Sequence, residues 1–156
     1  MSPKYSLRAA RATDLPIIYI GELDYIRQIE PEHEARWKDA LRWHLTQWTA
    51  AIDRMIIAEI GSDTAGYCFW EVHGEAAVLA SIYVLPERRR TGLGKRLLDR
   101  FITDAHAEGF GNLTLGVKED NPARLLYESA GFVYTHDDGE YRHYRYPLVP
   151  RTSQPA

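Results

Sequence analysis

The residues with the clearest chemical potential form a basic, glycine-containing segment in the second half of the 156-residue chain. Three consecutive arginines, at 88–90, precede Gly92 and Gly94, and a helical pattern of leucines begins directly after them. Backbone amides at a helix N-terminus lack partners within the helix and lie at the positive end of its dipole. Glycines let a bulky anion approach those amides closely. The spacing therefore predicts a site for a pyrophosphate group.

Two familiar phosphate-binding motifs do not fit this segment. A Walker loop needs four residues between its glycines, whereas one residue separates Gly92 from Gly94, and the Lys95 that follows is not succeeded by Ser or Thr. A dinucleotide-binding fingerprint needs a third glycine three residues later, where this chain has Leu97. A solvent-exposed basic turn at a helix start is the plain alternative to an anion site.

The elements around this segment alternate between strand-like and helix-like patterns. Strands are predicted where β-branched and aromatic residues lie between turn formers, and helices where apolar residues recur every three or four positions. The predicted strands are 5–10, 55–60, 65–72, 76–84, 112–117, 132–137 and 140–148, and the predicted helices begin near Leu15, Glu32, Leu93 and Ala123. The helix over 32–52 carries a stripe of apolar residues that we expect in the core, namely Trp37, Leu41, Leu45, Trp48 and Ile52.

Composition and charge narrow the classes of function. With 45% hydrophobic and 26% charged residues the chain is typical of one globular domain, which we expect over 1–149, with a disordered tail over 150–156. A net charge of -3 argues against nucleic acid or an anionic membrane as a partner. The single Cys68 favours a cytoplasmic protein with no metal site and no internal disulfide. The composition is compatible with a monomer and with a homodimer.

Two motifs carry a family resemblance. The segment Ile82–Leu98 closely resembles the central motif of the GNAT superfamily of N-acetyltransferases, with Arg89, Gly92 and Gly94 as its Arg-x-x-Gly-x-Gly core. The segment Asn121–Phe132 resembles the helix motif that follows in that family. Two motifs in the right order and spacing are much more specific than either one alone.

By this resemblance the fold would be α/β, with a mostly antiparallel mixed sheet of about six to seven strands and about four flanking helices. The sheet would splay between strands 76–84 and 112–117, and acetyl-CoA would lie in the gap as the cosubstrate. The residues implied in acetyl-CoA binding are Ile82, Tyr83, Val84, Arg89, Arg90, Thr91, Gly92, Leu93, Gly94, Lys95, Asn121, Arg124 and Tyr127.

The implied activity is direct transfer of an acetyl group to a primary amine, on a small molecule or a protein, in a ternary complex. Such a reaction needs a neutral amine, a donor for the developing oxyanion and a way to discharge the thiolate. The amide of Val84 is the candidate oxyanion donor. Tyr127 resembles the family's tyrosine that protonates the departing sulfur, by full proton transfer or by a hydrogen bond.

The motifs do not supply a general base, because Ala77, Leu79 and Ser81 stand where some family members carry a carboxylate. Glu71 and Glu22 are the candidate bases, and a water chain ending on one of them is an alternative. An acidic stretch of the first half, together with nearby Tyr and Trp residues, favours a cationic or aromatic acceptor. The plainer interpretation of the same residues is a solvated helix face; they are Glu22, Asp24, Glu30, Glu32 and Glu34.

Two further hypotheses belong to other functional classes. A non-catalytic CoA-binding or sensing module would keep the phosphate turn without acylating anything. A nucleic-acid-binding module would use the arginines at 88–90, against the negative net charge of the chain.

Overall fold

The computed structural model describes residues 4–147, so the tail predicted over 150–156 lies outside the described residues. Seven strands form where the sequence carries β-branched and aromatic residues between turn formers. They are β1 (Ser6–Ala9), β2 (Met55–Ile60), β3 (Asp63–His73), β4 (Ala76–Val84), β5 (Asn112–Lys118), β6 (Val133–Asp138) and β7 (Tyr141–Tyr146). The helices are α1 (Leu15–Ile29), α2 (Glu34–Asp39), α3 (Leu41–Ala50), α4 (Leu93–Ala107) and α5 (Arg124–Ser129).

The strands form one sheet in the order β1-β2-β3-β4-β5-β7-β6. Every neighbouring pair is antiparallel except β4 and β5, which are parallel and are connected by α4. The prediction of a mixed, mostly antiparallel α/β sheet is therefore confirmed, with five helices instead of about four.

The two faces of the sheet are covered by different helices, because successive side chains of a strand point to opposite sides. On β3, Cys68 and Trp70 join the cluster that contains α4, whereas Tyr67 and Phe69 join the cluster that contains Ile18 of α1. The sheet thus lies between α4 and α5 on one face and α1 and α3 on the other.

The parallel pair at the centre of the sheet is short. Strand β4 pairs with β5 only from Ala76↔Asn112 to Leu79↔Leu115. A β-bulge follows at once, because Trp70 of β3 pairs with Leu79 and Phe69 pairs with Ser81, leaving Ala80 without a partner. A bulge bends its strand and increases the local twist. Beyond Ala80, β4 therefore diverges from β5 and leaves a wedge-shaped gap.

One prediction for the first half is wrong in detail. The single helix expected over 32–52 is broken at Ala40 (φ -92°, ψ 21°) into α2 and α3. The break lets His44 donate from Nε2 to the Trp37 carbonyl (2.8 Å) and stack against Trp48 at 5.6 Å between ring centroids. Consequently Leu41 and Leu45, which the continuous helix would have buried, are 40% and 38% exposed.

Candidate active site

The gap between β4 and β5 is the mouth of a cleft of about 660 Å³. Its walls come from α1, the part of β4 beyond Ala80 (the outer half of β4), the turn before α4, the middle of β5 and the start of α5. The predicted site residues that line it are Glu22, Ile82, Tyr83, Val84, Arg89, Arg90, Gly92, Leu93, Gly94, Lys95, Asn121 and Tyr127. Thr91, Arg124 and Glu71 do not line it.

The turn that enters α4 carries a row of free amides. Arg90 and Gly92 adopt left-handed conformations, with φ of 63° and 84°. The first helical hydrogen bond of α4 runs from the Arg96 amide to the Gly92 carbonyl (3.2 Å). Within residues 4–147, no carbonyl or side chain accepts a hydrogen bond from the amides of 90–95. Two left-handed residues just before a helix start leave successive amides without intrahelical partners, and such a turn can form an anion-binding nest.

Side chains around the turn hold its shape. The Thr91 hydroxyl donates to the Arg88 carbonyl (2.7 Å) and lies 2.8 Å from the Tyr5 hydroxyl, so Thr91 braces the turn from outside the cleft. Arg89 reaches back along the cleft, where its Nε donates to the Val84 carbonyl (2.9 Å) and its guanidinium lies 5.7 Å from the centre of the Tyr83 ring.

The outer half of β4 presents unpaired main chain to the cleft. The Leu85 amide donates to the Ala65 carbonyl (2.9 Å), so Leu85 points its polar groups toward β3. Successive residues of a strand point their amides to opposite sides, and the amides and carbonyls of Ile82 and Val84 therefore face the gap. This edge can hydrogen-bond an extended ligand as an additional strand would.

Tyr127 forms part of the inner wall. Its side chain packs edge-on against Phe132, and the residue is only 7% exposed. In the described part of the chain its hydroxyl has no hydrogen-bond partner. Burial raises the pKa of Tyr127, and the nearby acidic groups of Cys68 and Glu22 act in the same direction. The hydroxyl is therefore a neutral donor aimed into the cleft.

The neighbouring predicted residues have structural roles. Asn121 accepts the Ala123 amide on its side-chain oxygen (2.9 Å) and so orders the entry into α5. Arg124 extends toward Glu128, with 4.0 Å between nitrogen and oxygen, and does not point into the cleft.

The two candidate bases lie in different surroundings. Glu71 accepts a hydrogen bond from His73 Nε2 (2.9 Å) on the surface, and its side chain is 33% exposed. The carboxylate of Glu22 lies in the cleft, where Oε2 accepts from the Tyr67 hydroxyl (2.6 Å) and the Ser81 hydroxyl (2.7 Å). Burial raises the pKa of Glu22 above its usual value, and these two hydrogen bonds act in the opposite direction.

Sequence reasoning missed several cleft residues. Tyr25 on α1 and Tyr141 on β7 line the cleft beside Glu30, although they lie more than a hundred residues apart in the chain. Nothing in their local patterns marks them, because the pairing of β7 with β5 brings them together.

The sequence and the fold were compared with those of known proteins. The sequence model of the acetyltransferase (GNAT) family matches residues 23–132. The chain belongs to this family. A GNAT relative from Salmonella typhimurium LT2, a ribosomal protein bS18-alanine N-acetyltransferase, is 31% identical over 107 residues, or 63% of this chain and 72% of that protein. The L-amino acid N-acyltransferase MnaT of Escherichia coli K12 is 29% identical over 138 residues, or 83% and 80% of the two chains.

The alignments differ in extent. The chain spans only 46% and 47% of the bS18-alanine N-acetyltransferases of Haemophilus influenzae and Escherichia coli K12 that it also matches. Among solved structures, the PaiA N-acetyltransferase of Thermoplasma acidophilum in complex with coenzyme A has a TM-score of 0.75. It is 20% identical, and the match covers 91% of this chain and 98% of that one.

These matches confirm the predicted GNAT family and fold, and at the level of the family they confirm an acyltransferase with acetyl-CoA as its cosubstrate. Two other findings concern the part of the chain that the structure describes. No helix there is long and apolar enough to cross a membrane. No group of three His, Cys, Asp or Glu residues there is placed to hold a metal ion.

Proposed function

We propose that this protein transfers an acetyl group from acetyl-CoA to a primary amine by direct attack in a ternary complex. The observation that carries the proposal is the convergence, in one cleft, of free amides at 90–95, an unpaired strand edge and the partnerless hydroxyl of Tyr127. We take the catalytic unit to be one domain over 1–149, because the described residues share a single sheet.

The cosubstrate is held by main chain more than by side chains. The amides of 90–95 bind the diphosphate, and the positive end of the α4 dipole adds to that attraction. The main-chain groups of Ile82 and the Val84 carbonyl bind the amide-containing arm, for which Arg89 gives up its hydrogen bond to that carbonyl, and the Val84 amide stays free for the thioester. Gly94 keeps the helix start close to α5, since an added Cβ would lie 3.2 Å from the Leu126 side chain.

Glu22 is the general base. A lysine-like amine with a pKa of about 10.4 is neutral in only about one molecule in 2,500 at pH 7, a handicap of roughly 4 to 5 kcal/mol. A carboxylate whose pKa is raised toward neutrality accepts a proton from the ammonium more readily than an ordinary glutamate. The hydrogen bonds from Tyr67 and Ser81 fix Glu22 in the cleft, whereas Glu71 does not line the cleft and is bound to His73.

The Val84 amide and the Tyr127 hydroxyl serve the two charges that develop on the thioester. The Val84 amide faces the gap and stabilises the oxyanion as the C–N bond forms. The Tyr127 hydroxyl donates to the sulfur as the C–S bond breaks. Because the pKa of Tyr127 is raised, the hydroxyl acts by a hydrogen bond that strengthens as negative charge builds on the sulfur, and the thiolate takes its proton from solvent afterwards.

A two-part assay tests this function. First, thermal unfolding is followed with CoA, ATP or NAD, and only CoA is expected to raise the midpoint strongly. Second, free thiol is measured while acetyl-CoA is incubated with a panel of amines. Sustained thiol release that depends on an amine supports the transferase. CoA binding without any amine-dependent release would instead favour a non-catalytic CoA-binding module.

Three further properties of the protein are proposed. We propose that the arginines at 88–90 serve the diphosphate and not a nucleic acid, so salt-dependent DNA binding would count against the proposal. We propose a cytoplasmic location, consistent with one buried, unpaired Cys68. A homodimer is supported by the outer strand β6, where Val133 and Tyr134 are 54% and 49% exposed, and light scattering tests it.

A further inference from the structure

The cleft is divided by charge. Within residues 4–147, every Lys or Arg that lines it belongs to the turn that enters α4, namely Arg88, Arg89, Arg90 and Lys95. The opposite end, along α1, is lined by the carboxylates of Glu22 and Glu30. The diphosphate of the proposed cosubstrate would neutralise the positive charges of these four side chains. The carboxylates at the other end have no such counterpart within the cleft.

Glu30 is the less expected of the two, because a buried carboxylate is costly without partners. It is 8% exposed, and it accepts hydrogen bonds from the hydroxyls of Tyr141 and Tyr25, the latter at 3.3 Å. Both tyrosines line the cleft with it. The hydroxyls orient the carboxylate without neutralising it.

The cations near Glu30 do not cancel its charge on the cleft side. Lys118 donates to the Ile29 carbonyl (3.0 Å) and lies 3.9 Å from Glu32 and from Asp120. His33 Nε2 lies 3.8 Å from Glu30 and 3.6 Å from Glu32. Neither Lys118 nor His33 lines the cleft. A ligand that enters this end therefore meets a carboxylate flanked by two aromatic rings, a surrounding that suits an alkylammonium.

The separation of Glu22 and Glu30 along α1 indicates the length of a ligand that could contact both carboxylates. Glu30 follows Glu22 by eight residues, directly after the last residue of α1. At about 1.5 Å per residue, the two backbone positions lie about 12 Å apart along the helix axis. Tyr127, whose hydroxyl is unpartnered and which is only 7% exposed, faces the same cleft from the other side and independently marks it as a ligand site.

We propose that the acceptor is a long linear diamine or polyamine, with its reacting nitrogen at Glu22 and its second ammonium at Glu30 between Tyr25 and Tyr141. The proposal rests on the acetyltransferase function above and specifies its substrate class. The chemistry is unchanged: a C–N bond forms, the thioester C–S bond breaks, and the products are an N-acetylated diamine and the free thiol. An acceptor with a carboxylate beside its amine is disfavoured, because it would meet Glu22 and Glu30.

The test uses the whole 156-residue chain and compares amines that differ in length and in the charge at their far end. Octane-1,8-diamine, ethane-1,2-diamine, octylamine, an L-amino acid and its amide are assayed by thiol release. We expect the long diamine to have the lowest KM, at least about tenfold below that of octylamine. We expect Glu30→Gln to raise the KM for the long diamine about tenfold while leaving kcat and the KM for octylamine nearly unchanged. Glu30→Asp should restore part of the preference, and Glu32→Gln, which changes an exposed carboxylate outside the cleft, should have no effect.

The outcomes separate this inference from the function on which it rests. Turnover of octylamine with no advantage for the diamine, or an unchanged diamine KM in Glu30→Gln, overturns the diamine proposal and leaves the acetyltransferase intact. Preference for the L-amino acid over its amide also overturns it. CoA binding without turnover of any amine overturns both.

Discussion

The Ser81 hydroxyl on β4 donates to the Glu22 carboxylate on α1 across the floor of the cleft, at 2.7 Å. Ser81 is the first residue after the bulged Ala80, and the bulge directs its side chain toward α1. The stretch of β4 that contains Ala77, Leu79 and Ser81 carries no carboxylate of its own, and Ser81 instead holds a carboxylate supplied by a helix. This relationship makes Glu22 the residue on which most of the expected outcomes depend.

Replacing Glu22 with Gln should remove the base while preserving an acceptor for the two hydroxyls. We expect kcat/KM for a lysine-like amine to fall about 100-fold or more. In the wild type, the acid limb of the pH–rate profile reports a carboxyl whose pKa is raised above the usual 4.5 by burial, and this limb should vanish in Glu22→Gln. Steady-state kinetics across pH, with Glu71→Gln as the matched control, measures both effects.

Although Glu22→Gln should lower activity, it should raise the stability of the folded protein at neutral pH. A carboxyl whose pKa is raised in the folded state binds its proton more tightly there than in the unfolded state. Its contribution to stability is fully present below the usual pKa of 4.5 and is lost as pH rises through the folded value. Above that window Glu22→Gln should therefore unfold at a higher temperature than the wild type. A lower midpoint at neutral pH would contradict the assignment of a desolvated Glu22.

Removing the Tyr127 hydroxyl isolates its role at the sulfur. In Tyr127→Phe the ring still packs against Phe132, so the fold and the affinity for CoA should be retained. We expect kcat to fall by roughly tenfold to 100-fold. The variant lacks a hydrogen bond to the leaving sulfur that would strengthen as negative charge develops in the transition state. Pre-steady-state thiol release and CoA titration separate these quantities. A variant with full activity would place the tyrosine in the core alone.

Adding a side chain at Gly92 tests the amide nest. Gly92 has a φ of 84° and open space above its Cα, so Gly92→Ala strains the backbone without a clash. The strain of about 1 kcal/mol should shift the turn and weaken CoA binding by about fivefold, measured by calorimetry. Gly74→Ala is the control, since Gly74 has a φ of 62°, equally open space and a place in the hairpin between β3 and β4, outside the cleft. It should lose similar stability and keep its CoA affinity.

An ion pair at the start of α1 should make folding sensitive to acid. Arg8 binds both oxygens of Asp14 at 2.8 Å, and the Arg11 amide adds a third hydrogen bond at 2.7 Å. The hydrogen bonds from Arg8 lower the pKa of Asp14 below 3.8, so this stabilisation is present above pH 3.8 and is lost as pH falls through the folded value. Asp14→Asn should cost about 2 to 3 kcal/mol at pH 7, with a smaller difference from wild type in acid. Urea denaturation at several pH values measures it.

Much of the cleft was predictable because its main parts are local in sequence. The turn from Arg89 to Lys95 and the α5 segment containing Tyr127 combine backbone-specific residue types with fixed spacing, and the structure brings both to the cleft. The family resemblance indicated that these two segments face the same cleft. Binding of a diphosphate by main-chain amides depends on the backbone conformation of the turn, which the glycine spacing indicates.

The acceptor end was not predictable in the same way. Ser81, Tyr67 and Tyr141 become neighbours of the acidic residues on α1 only through sheet register and the bulge at Ala80, which no local pattern indicates. The break at Ala40 was also missed. It accompanies a hydrogen bond between residues seven positions apart, from buried His44 to the Trp37 carbonyl, which the helical periodicity of 32–52 does not indicate.

The interrupted pairing between β4 and β5 has a consequence for the resting protein. From Ala80 to Val84 the centre of the sheet has a bare flank, a feature that proteins usually confine to outer strands and protect there, because it invites other chains to join. Since the proposed cosubstrate would cover that flank, we expect the protein without it to self-associate more readily than its CoA complex.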